Sequence, residues 1–517
     1  MCSGLVHGEP PRAGNAVGDD MAGTPEKHFS KVLIANRGEI ASRILRTLRR
    51  LGIASVVVYH EVDKGTPAVR DADEAVQIHG EPPVAAYLDA AQIVAAAKST
   101  GAQAIHPGFG FLSEKAHFAE AVIEAGLVFV GPPPAAIRAM GDKIESKLLA
   151  TKAGVPTVPG SKDALESADE AVAVAQKIGY PVLLKASAGG GGKGMRIAHS
   201  AQECRDGLAR ASAEAKAAFG DGRVFIEKYV EEPRHIEVQV LADGFGKVLH
   251  LGERECSIQR RYQKVVEEAP SPFIDAATRA LMGAQACALA RAVGYTSAGT
   301  VEMVVDKHRN FYFLEMNTRL QVEHPVTEMT TGIDIVEQQL AVAAGAALPF
   351  TQEDVAFSGH AIEVRIYAED ADAGFIPATG KLLKVRFPSG DGIRVDHGVL
   401  EGQEIGAAFD PMIAKLVTHG ATRDEAIDRM CRALEETVIL GPITNIDFLR
   451  RVVDHPEFRA GRIHTGFLTL HKATLAAALA SPDQEKLLAV AAALAHPDFD
   501  LNFATPAPLD GMGAWSN

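Results

Sequence analysis

The residues richest in chemistry lie at 311–328, in FYFLEMNTRLQVEHPVTE. Read at a strand's period of two, this segment puts Glu315, Asn317, Arg319, Gln321 and Glu323 on one face. Met316, Leu320 and Val322 occupy the other, interrupted by Thr318. A strand with polar and charged groups in succession on one side and apolar groups opposite reads as the wall of a site. Residues 300–305 and 311–316 flank a polar turn, Asp306-Lys-His-Arg-Asn310, and read as a β-hairpin. Pairing about the turn's centre sets Glu302 opposite Glu315. Carboxylates facing each other across a ladder repel. A divalent cation would reverse that sign, and hard oxygen ligands suit Mg²⁺ or Mn²⁺ held beside phosphates. The competing explanation is a solvated acidic hairpin; Asn317, Arg319, Gln321 and Glu323 continuing the same face favour a site.

Two further stretches fit phosphate chemistry. The loop ASAGGGGKGM at 186–195 is not a P-loop, because Gly194 rather than Ser or Thr follows Lys193. Nor does it open a helix, since Met195-Arg-Ile-Ala198 reads as a strand. A glycine run between two strands suits a hairpin flap whose backbone N–H groups close over phosphates, with Lys185 and Lys193 at hand; the alternative is a plain surface turn. The basic run Arg260-Arg-Tyr-Gln-Lys264 would by itself be a solvated face. Beside a divalent site and a phosphate flap it supplies cations for a transferring phosphoryl group. Glu267 and Glu268 follow closely and argue against a nucleic-acid surface. His235 and His324 are isolated and read as structural, and HPGFG at 106–110 reads as a strand-ending turn.

These residues need a large scaffold. At 517 residues the chain is long enough for two to four domains. Composition is globular, with 47% hydrophobic and 23% charged residues. The net charge of −14 argues against a protein built to coat nucleic acid. Cys2, Cys204, Cys256, Cys287 and Cys431 are scattered without a C-x-x-C, so a disulfide framework or zinc site is not expected and a reducing, cytoplasmic setting is. No apolar run reaches 18 residues, so no membrane span is expected. Residues 1–28 read as a disordered leader without a secretory or transit pattern, with Met21 a possible start. From Lys31 a strand, a helix with Ile40, Ile44, Leu45, Leu48 and Leu51 on one face, and a second strand make a βαβ start that continues to Pro132-Pro-Pro134. A second region begins near Ile144, with strands at 180–185, 223–230 and 235–241, the last half-buried by its alternation, and a helix at 334–347. A third, at about 358–470, is strand-rich and then helical. The tail from His471 is alanine-rich and then Pro/Gly-rich.

The chain closely resembles biotin carboxylase, the ATP-grasp component of biotin-dependent carboxylases. The resemblance runs from about Lys31 to Leu470, through IANRGEIA, HPGFGFLSE, GPPP with MGDK, KASAGGGGKGM, EKYVEEPRHIEVQVLAD, QRRYQKVVEEAP, FLEMNTRLQVEHPVTE and GHAIEVRIYAED. Other ATP-grasp enzymes share the flap and the metal carboxylates but not MNTRLQVEHPVTE. The resemblance implies an α/β and α+β multidomain protein. Its parts would be a Rossmann-like N-terminal domain (29–143), an ATP-grasp domain (144–357) with a flap at about 156–230, and a C-terminal domain (358–470). It also implies roles. Lys143 and Lys185 would hold ATP phosphates beneath Gly190, Gly191 and Gly192. Glu227, Lys228 and Val230 would line the adenine pocket beside Met195, with His235 and Gln259 near the nucleotide. Glu302, Glu315 and Asn317 would bind Mg²⁺ or Mn²⁺, and Lys264, Arg319, Gln321 and Val322 bicarbonate. Glu323 would be the general base and Arg365 would stabilise the biotin enolate. The chain departs from the family's pattern at Phe109, commonly Tyr, and at Tyr262, often His.

No A-M-K-M biotinylation motif occurs, so biotin is expected on a separate carrier or on chain not included here. The C-terminal third, with FDPMIAKLVTHGATRDEA and GPITNIDFLRRVVDHPEFRAG, looks most like the α-subunits of propionyl-CoA and methylcrotonyl-CoA carboxylases. A carrier, a carboxyltransferase subunit and an oligomer are the expected partners. Two other readings compete. A carboxylate–amine ligase of the ATP-grasp type would need an amine site and not Arg365. A nucleotide-binding scaffold would lack the metal or base residues, which are all present.

Overall fold

The computed structural model describes residues 29–161, 163–186 and 195–477, together with Asp483, Lys486, Leu487 and Val490. The expected leader, Gly190–Gly192 and most of the tail lie outside the described residues.

The first region forms a parallel sheet of β1 (Lys31–Ile34), β2 (Ala54–Tyr59), β3 (Glu74–Gln77), β4 (Ala104–His106) and β5 (Val128–Phe129). Its order, β3-β2-β1-β4-β5, reverses direction at β1, the doubly wound pattern expected of a Rossmann-like unit. Helix α1 (Gly38–Arg50) buries Ile40, Ile44, Leu45 and Leu48 as its periodicity predicts. Leu51 falls just beyond the helix. A second flank carrying Glu39, Arg43 and Thr47 is also buried. Charge on a buried flank requires partners, and these come from later in the chain.

In the second region, β6 (Val182–Ala186), β7 (Met195–Ala198) and β8 (Val224–Lys228) make a small antiparallel sheet in the order β7-β6-β8. Strands β6 and β7 are adjacent and antiparallel, with Lys185 opposite Met195, so they are the two arms of the expected glycine hairpin. Helix α2 (Lys143–Lys152) precedes them.

The remaining large sheet has eight strands: β9 (Arg234–Ala242), β10 (Val248–Arg260), β11 (Gln263–Ala269), β12 (Ser297–Val305), β13 (Phe311–Asn317), β14 (His360–Tyr367), β15 (Ile393–His397) and β16 (Met412–Gly420). Their order is β13-β12-β9-β10-β11-β14-β16-β15. The second and third regions therefore share one sheet, joined where β11 pairs antiparallel with β14. One face packs apolar residues such as Ile236, Val238, Val301 and Met303 against the helix Ala276–Ala292. The other face is polar yet covered. β9, expected to be half-buried, is buried on both sides from Ile236 to Ala242. The alternation in HIEVQVL is real, but its polar side meets other protein rather than water. The helix expected at 334–347 is shorter, Ile335–Ala343, with the Asp334 side chain capping the Glu337 N–H.

The segment 311–328 divides differently from its two-residue alternation. β13 ends at Asn317; residues 318–323 form a turn, and α3 (His324–Thr331) follows. Pro325 in the first turn of α3 is compatible with a helix start and incompatible with a central strand. Arg319, Gln321 and Glu323 are thus turn residues, not strand residues.

Candidate active site

The hairpin β12–β13 pairs Glu302 with Glu315, as the turn-centred register predicts, and a register shift follows at Met303. On its other side Glu302 faces Glu237 of β9, which in turn faces Arg254 of β10. One row across four strands therefore carries three carboxylates and a guanidinium. Arg254 is fully buried and donates to Glu237 Oε1 (2.5 Å), Gln239 Oε1 (2.8 Å), Thr300 Oγ1 (3.1 Å) and Thr327 Oγ1 (2.9 Å). It thereby ties α3 to the sheet.

Lys264, near the start of β11, places its ammonium at the centre. Nζ donates to Glu237 Oε2 (2.5 Å), Glu302 Oε1 (2.9 Å) and Glu323 Oε1 (2.6 Å). The other oxygen of Glu323 accepts from Arg365 Nη2 (2.9 Å), and Arg365 Nε donates to Glu267 Oε1 (2.7 Å). Glu323 occupies the cap position of α3 but makes no capping hydrogen bond; its carboxylate serves Lys264 and Arg365 instead. Around Glu302, Asn317 Nδ2 (2.8 Å) and Gln321 Nε2 (3.0 Å) donate to Oε1, and His235 Nε2 lies 2.9 Å from Oε2. Arg319 donates to Gln321 Oε1 (2.5 Å), to Asn317 Oδ1 (3.3 Å) and to Glu114 Oε2 (3.1 Å). Lys415 Nζ donates to the Val322 carbonyl (2.8 Å).

Burial alone would raise the Glu323 carboxyl, but Lys264, Arg365 and Arg254 outweigh it and hold the group well below the usual carboxylate range. For Glu302 the same burial is overcome by Lys264 and His235, again lowering it. Lys264 shows the reverse balance. Burial disfavours its charge, yet Glu237, Glu302 and Glu323 raise it well above an ordinary lysine. Glu315 opens to solvent on one side and is walled by protein on the others. That partial enclosure, and then repulsion from Glu302, push its carboxyl upward. A carboxyl raised by a neighbouring carboxylate marks unbalanced negative charge. With the oxygen of Asn317 nearby, the donor set fits a hard divalent cation.

The small sheet supplies a second group of cations. Lys185 Nζ donates to Glu227 Oε2 (2.7 Å), and Lys147 of α2 ion-pairs with the other oxygen. Burial, with repulsion from neighbouring lysines, lowers Lys185 and Lys147 each to about 8. Lys143 opens α2 at the surface. Met195 begins the facing strand, and Val230 is half-buried just after β8. The Lys228 ammonium donates to the carbonyls of Gly179 (3.0 Å) and Tyr180 (2.9 Å). Gln259 donates to the Cys256 carbonyl (2.8 Å). Within the basic run only Lys264 enters the site: Arg260 pairs with Glu369, and Arg261 and Tyr262 form an exposed left-handed turn.

Sequence reasoning missed Glu237, Arg254, Glu267 and Lys147. For Glu237 the signal was the polar alternation of HIEVQVL in a strand that proves to be covered on both faces; Arg254 and Glu267 stand in charged runs, Glu253–Glu255 and Glu267-Glu268, that show no alternation. Lys147 lies one helical turn after Lys143, an i,i+4 pair on one helix face.

A three-stranded flap sheet beside a large antiparallel sheet bearing paired carboxylates is the architecture of an ATP-grasp enzyme. Residues 142–351 match the family model of the carbamoyl-phosphate synthase L chain, ATP binding domain. Residues 28–137 match that of the biotin carboxylase N-terminal domain, and 363–470 that of the biotin carboxylase C-terminal domain. The chain is 53% identical to the biotin carboxylase of Halalkalibacterium halodurans, over 86% of this chain and 98% of that one. It is 55% identical to the propionyl-CoA carboxylase alpha chain of Ruegeria pomeroyi, over 85% of this chain and 68% of that one. With the human mitochondrial propionyl-CoA carboxylase alpha chain it shares 54% identity, over 86% of this chain but 61% of the relative's length. Among solved structures, the biotin carboxylase domain of Hydrogenobacter thermophilus 2-oxoglutarate carboxylase, in complex with MgADP, ADP and bicarbonate, matches with a TM-score of 0.82 and 48% identity, covering 87% of this chain and all of that one. The Campylobacter jejuni biotin carboxylase in complex with a β,γ-ATP ligand matches with a TM-score of 0.82 and 44% identity, over 87% of this chain and 100% of that one. The chain belongs to the biotin carboxylase family. Among its described residues no helix is long and apolar enough to cross a membrane.

Proposed function

We propose that this chain carboxylates biotin at the expense of ATP and bicarbonate, the first half-reaction of an acyl-CoA carboxylase. Residues 29–143, 144–357 and 358–470 would be its Rossmann-like, ATP-grasp and C-terminal domains. The observation that carries the reading is the placement of Glu323. A buried carboxylate lies between an ammonium and a guanidinium, on a turn where Arg319 contacts Asn317 and Gln321 contacts Glu302.

Lys185 and Lys143 bind the nucleotide phosphates, and Glu227, Lys228, Val230, Met195, His235 and Gln259 border the nucleotide. Lys264, Arg319, Gln321 and Val322 hold bicarbonate. Glu302, Glu315 and Asn317 would hold Mg²⁺ or Mn²⁺, which when bound neutralises charge on the phosphoryl oxygens. Glu323 is fully ionised at neutral pH because Lys264 and Arg365 depress it. Bicarbonate draws on the same cations, which weakens their hold and restores proton affinity where a base is needed. Glu323 takes the bicarbonate proton, and the freed oxygen attacks the γ-phosphorus, giving carboxyphosphate and ADP. Carboxyphosphate breaks its C–O bond to CO₂ and phosphate. The phosphate accepts the N1′ proton of biotin, and the enolate, its oxygen facing the fixed guanidinium of Arg365, attacks CO₂. The biotin would be borne by a carrier protein or domain, and a carboxyltransferase subunit would pass the carboxyl group to an acyl-CoA.

Phosphate release from Mg·ATP by the purified chain tests this. It should require bicarbonate and rise with free biotin. Release indifferent to bicarbonate would point to another ATP-grasp ligase.

A further inference from the structure

Lys415 is fully buried in β16, between Ala414 and Leu416, which are buried as well. Nothing in the chemistry above uses it. A lysine with no exposure is costly unless its ammonium is well surrounded by oxygens. Here Nζ donates to the Val322 carbonyl (2.8 Å) and lies 3.3 Å from Glu39 Oε2 and 3.9 Å from Asp396 Oδ2. The Phe109 ring covers it, its centroid 5.9 Å away. Asp396 is already engaged by Arg394 (3.0 and 2.8 Å) and by Arg46. Glu39 makes no hydrogen bond of its own, which leaves Lys415 as its nearest cation.

Three parts of the chain meet at this ammonium. Glu39 and Phe109 come from the N-terminal region, and Val322 comes from the turn that ends in Glu323. Lys415 itself stands opposite both Arg365 of β14 and Asp396 of β15. The turn at 318–323 is also held at its other end, where Glu114 accepts from the Thr318 N–H (3.2 Å) and from Arg319 Nε (3.1 Å). Without Lys415, the peptide immediately before Glu323 loses its side-chain anchor.

We propose that Lys415 is the positioning residue of the bicarbonate-holding turn. It fixes the Val322 carbonyl, and so the Glu323 carboxylate, against Arg365 and Lys264, with Glu39 packed beside its ammonium at 3.3 Å. This rests on the biotin carboxylase reading of the site. Positioning, unlike bulk stability, should act on the anion and not on the nucleotide.

The test compares the parent with Lys415→Arg, Glu39→Gln and the double variant Lys415→Met/Glu39→Gln, which removes the ammonium without stranding the Glu39 charge. Bicarbonate-dependent phosphate release and amide exchange over 318–331 are both measured. In the double variant the bicarbonate KM should rise at least tenfold while the ATP KM stays within twofold. Amides of the turn should exchange at least tenfold faster, with those of β1–β5 unchanged. Lys415→Arg should recover most of the bicarbonate KM, and Glu39→Gln alone should stay within threefold of the parent. A purely structural role would lower yield or stability while leaving the ratio of the two KM values alone. A double variant that folds with the parent's bicarbonate KM and turn exchange overturns the inference and leaves the carboxylase reading intact. A parent that releases phosphate without bicarbonate overturns both.

Discussion

Replacing Lys264 by Met removes one ammonium from among Glu237, Glu302 and Glu323, at 2.5, 2.9 and 2.6 Å. The side chain's volume is nearly kept, so the change is electrostatic. Arg254 still serves Glu237 and Arg365 still serves Glu323, whereas Glu302 is left with His235 and two amide donors. Stranding one partner of a buried ion pair costs about 3–5 kcal/mol. At about 2–4 °C per kcal/mol for a cooperative unit of 150–250 residues, the unfolding midpoint should drop by about 10 °C. The pH dependence carries the diagnosis. Glu302 and Glu323 are depressed in the folded protein, so their contribution is present above the ordinary carboxylate range and is lost as pH falls through their folded values. Without Lys264 its share of that contribution is gone, while Arg365 keeps part of the depression at Glu323 and His235 part of it at Glu302. The gap between parent and variant should therefore be widest near pH 7 and shrink as the medium is acidified toward pH 4 and below. Scanning calorimetry at one fixed scan rate, with Lys264→Arg as the charge-retaining control, reads it directly. A gap under about 3 °C, or one that does not change with pH, would refute the electrostatic account.

Glu323→Gln keeps the shape but not the base, so kcat for bicarbonate-dependent phosphate release should fall by about 10²–10⁴. The ATP KM should stay within threefold; activity within tenfold of the parent would assign the base elsewhere. Lys185 and Lys147, both near 8, should gain protons when nucleotide phosphates approach. Mg·ATP binding at pH 8.5 should then show an enthalpy that depends on the buffer's ionisation heat, and identical enthalpies in two such buffers would contradict it. Glu363 is buried with both oxygens unbonded. That burial, opposed by Lys415 and aided by Glu267, pushes its carboxyl well above the usual range. A group raised in this way supports folding fully below its unfolded value and loses that support as pH rises. The stability advantage of Glu363→Gln over the parent should accordingly grow from pH 6 to pH 9, and parallel pH curves would sink this assignment.

The hairpin and its facing glutamates were legible because a short polar turn fixes register, and register alone puts Glu302 against Glu315. The glycine run was legible as a hairpin because its flanks read as strands, and β6 and β7 do pair across it. Beyond Asn317 the alternation misled. Arg319, Gln321 and Glu323 are two apart in sequence, which a strand and a turn leading into a helix both permit. Pro325 is the residue that decides between them. The polar face of β9 misled in another way. Glu237 and Gln239 look like a solvent side until Lys264 reaching across from β11, the 318–323 turn and α3 cover them, and that covering is non-local. Arg254 could be placed only by the pairing of β10 with β9.

The charge on this face is not evenly spread. Toward β14, Glu323 and Glu267 share Arg365, and Glu237 and Glu323 share Lys264 and Arg254 nearby. Toward β13, Glu302 shares that same Lys264, and Glu315, at the open rim, is raised in pKa by its enclosure and by Glu302. The excess negative charge therefore lies at the hairpin end and the fixed cations toward the turn. In the proposed reaction a metal-bound polyphosphate would be drawn to the first and a small planar anion to the second. One continuous ladder carries β12, β9, β10, β11 and β14, and Lys264 and Arg365 hold the Glu323 turn against it, so the interval between those two ends is set by strand spacing together with these ion pairs. The in-line approach of a bicarbonate oxygen to a γ-phosphorus needs such a fixed interval, since misplacement by about 1 Å costs on the order of 10²-fold in rate.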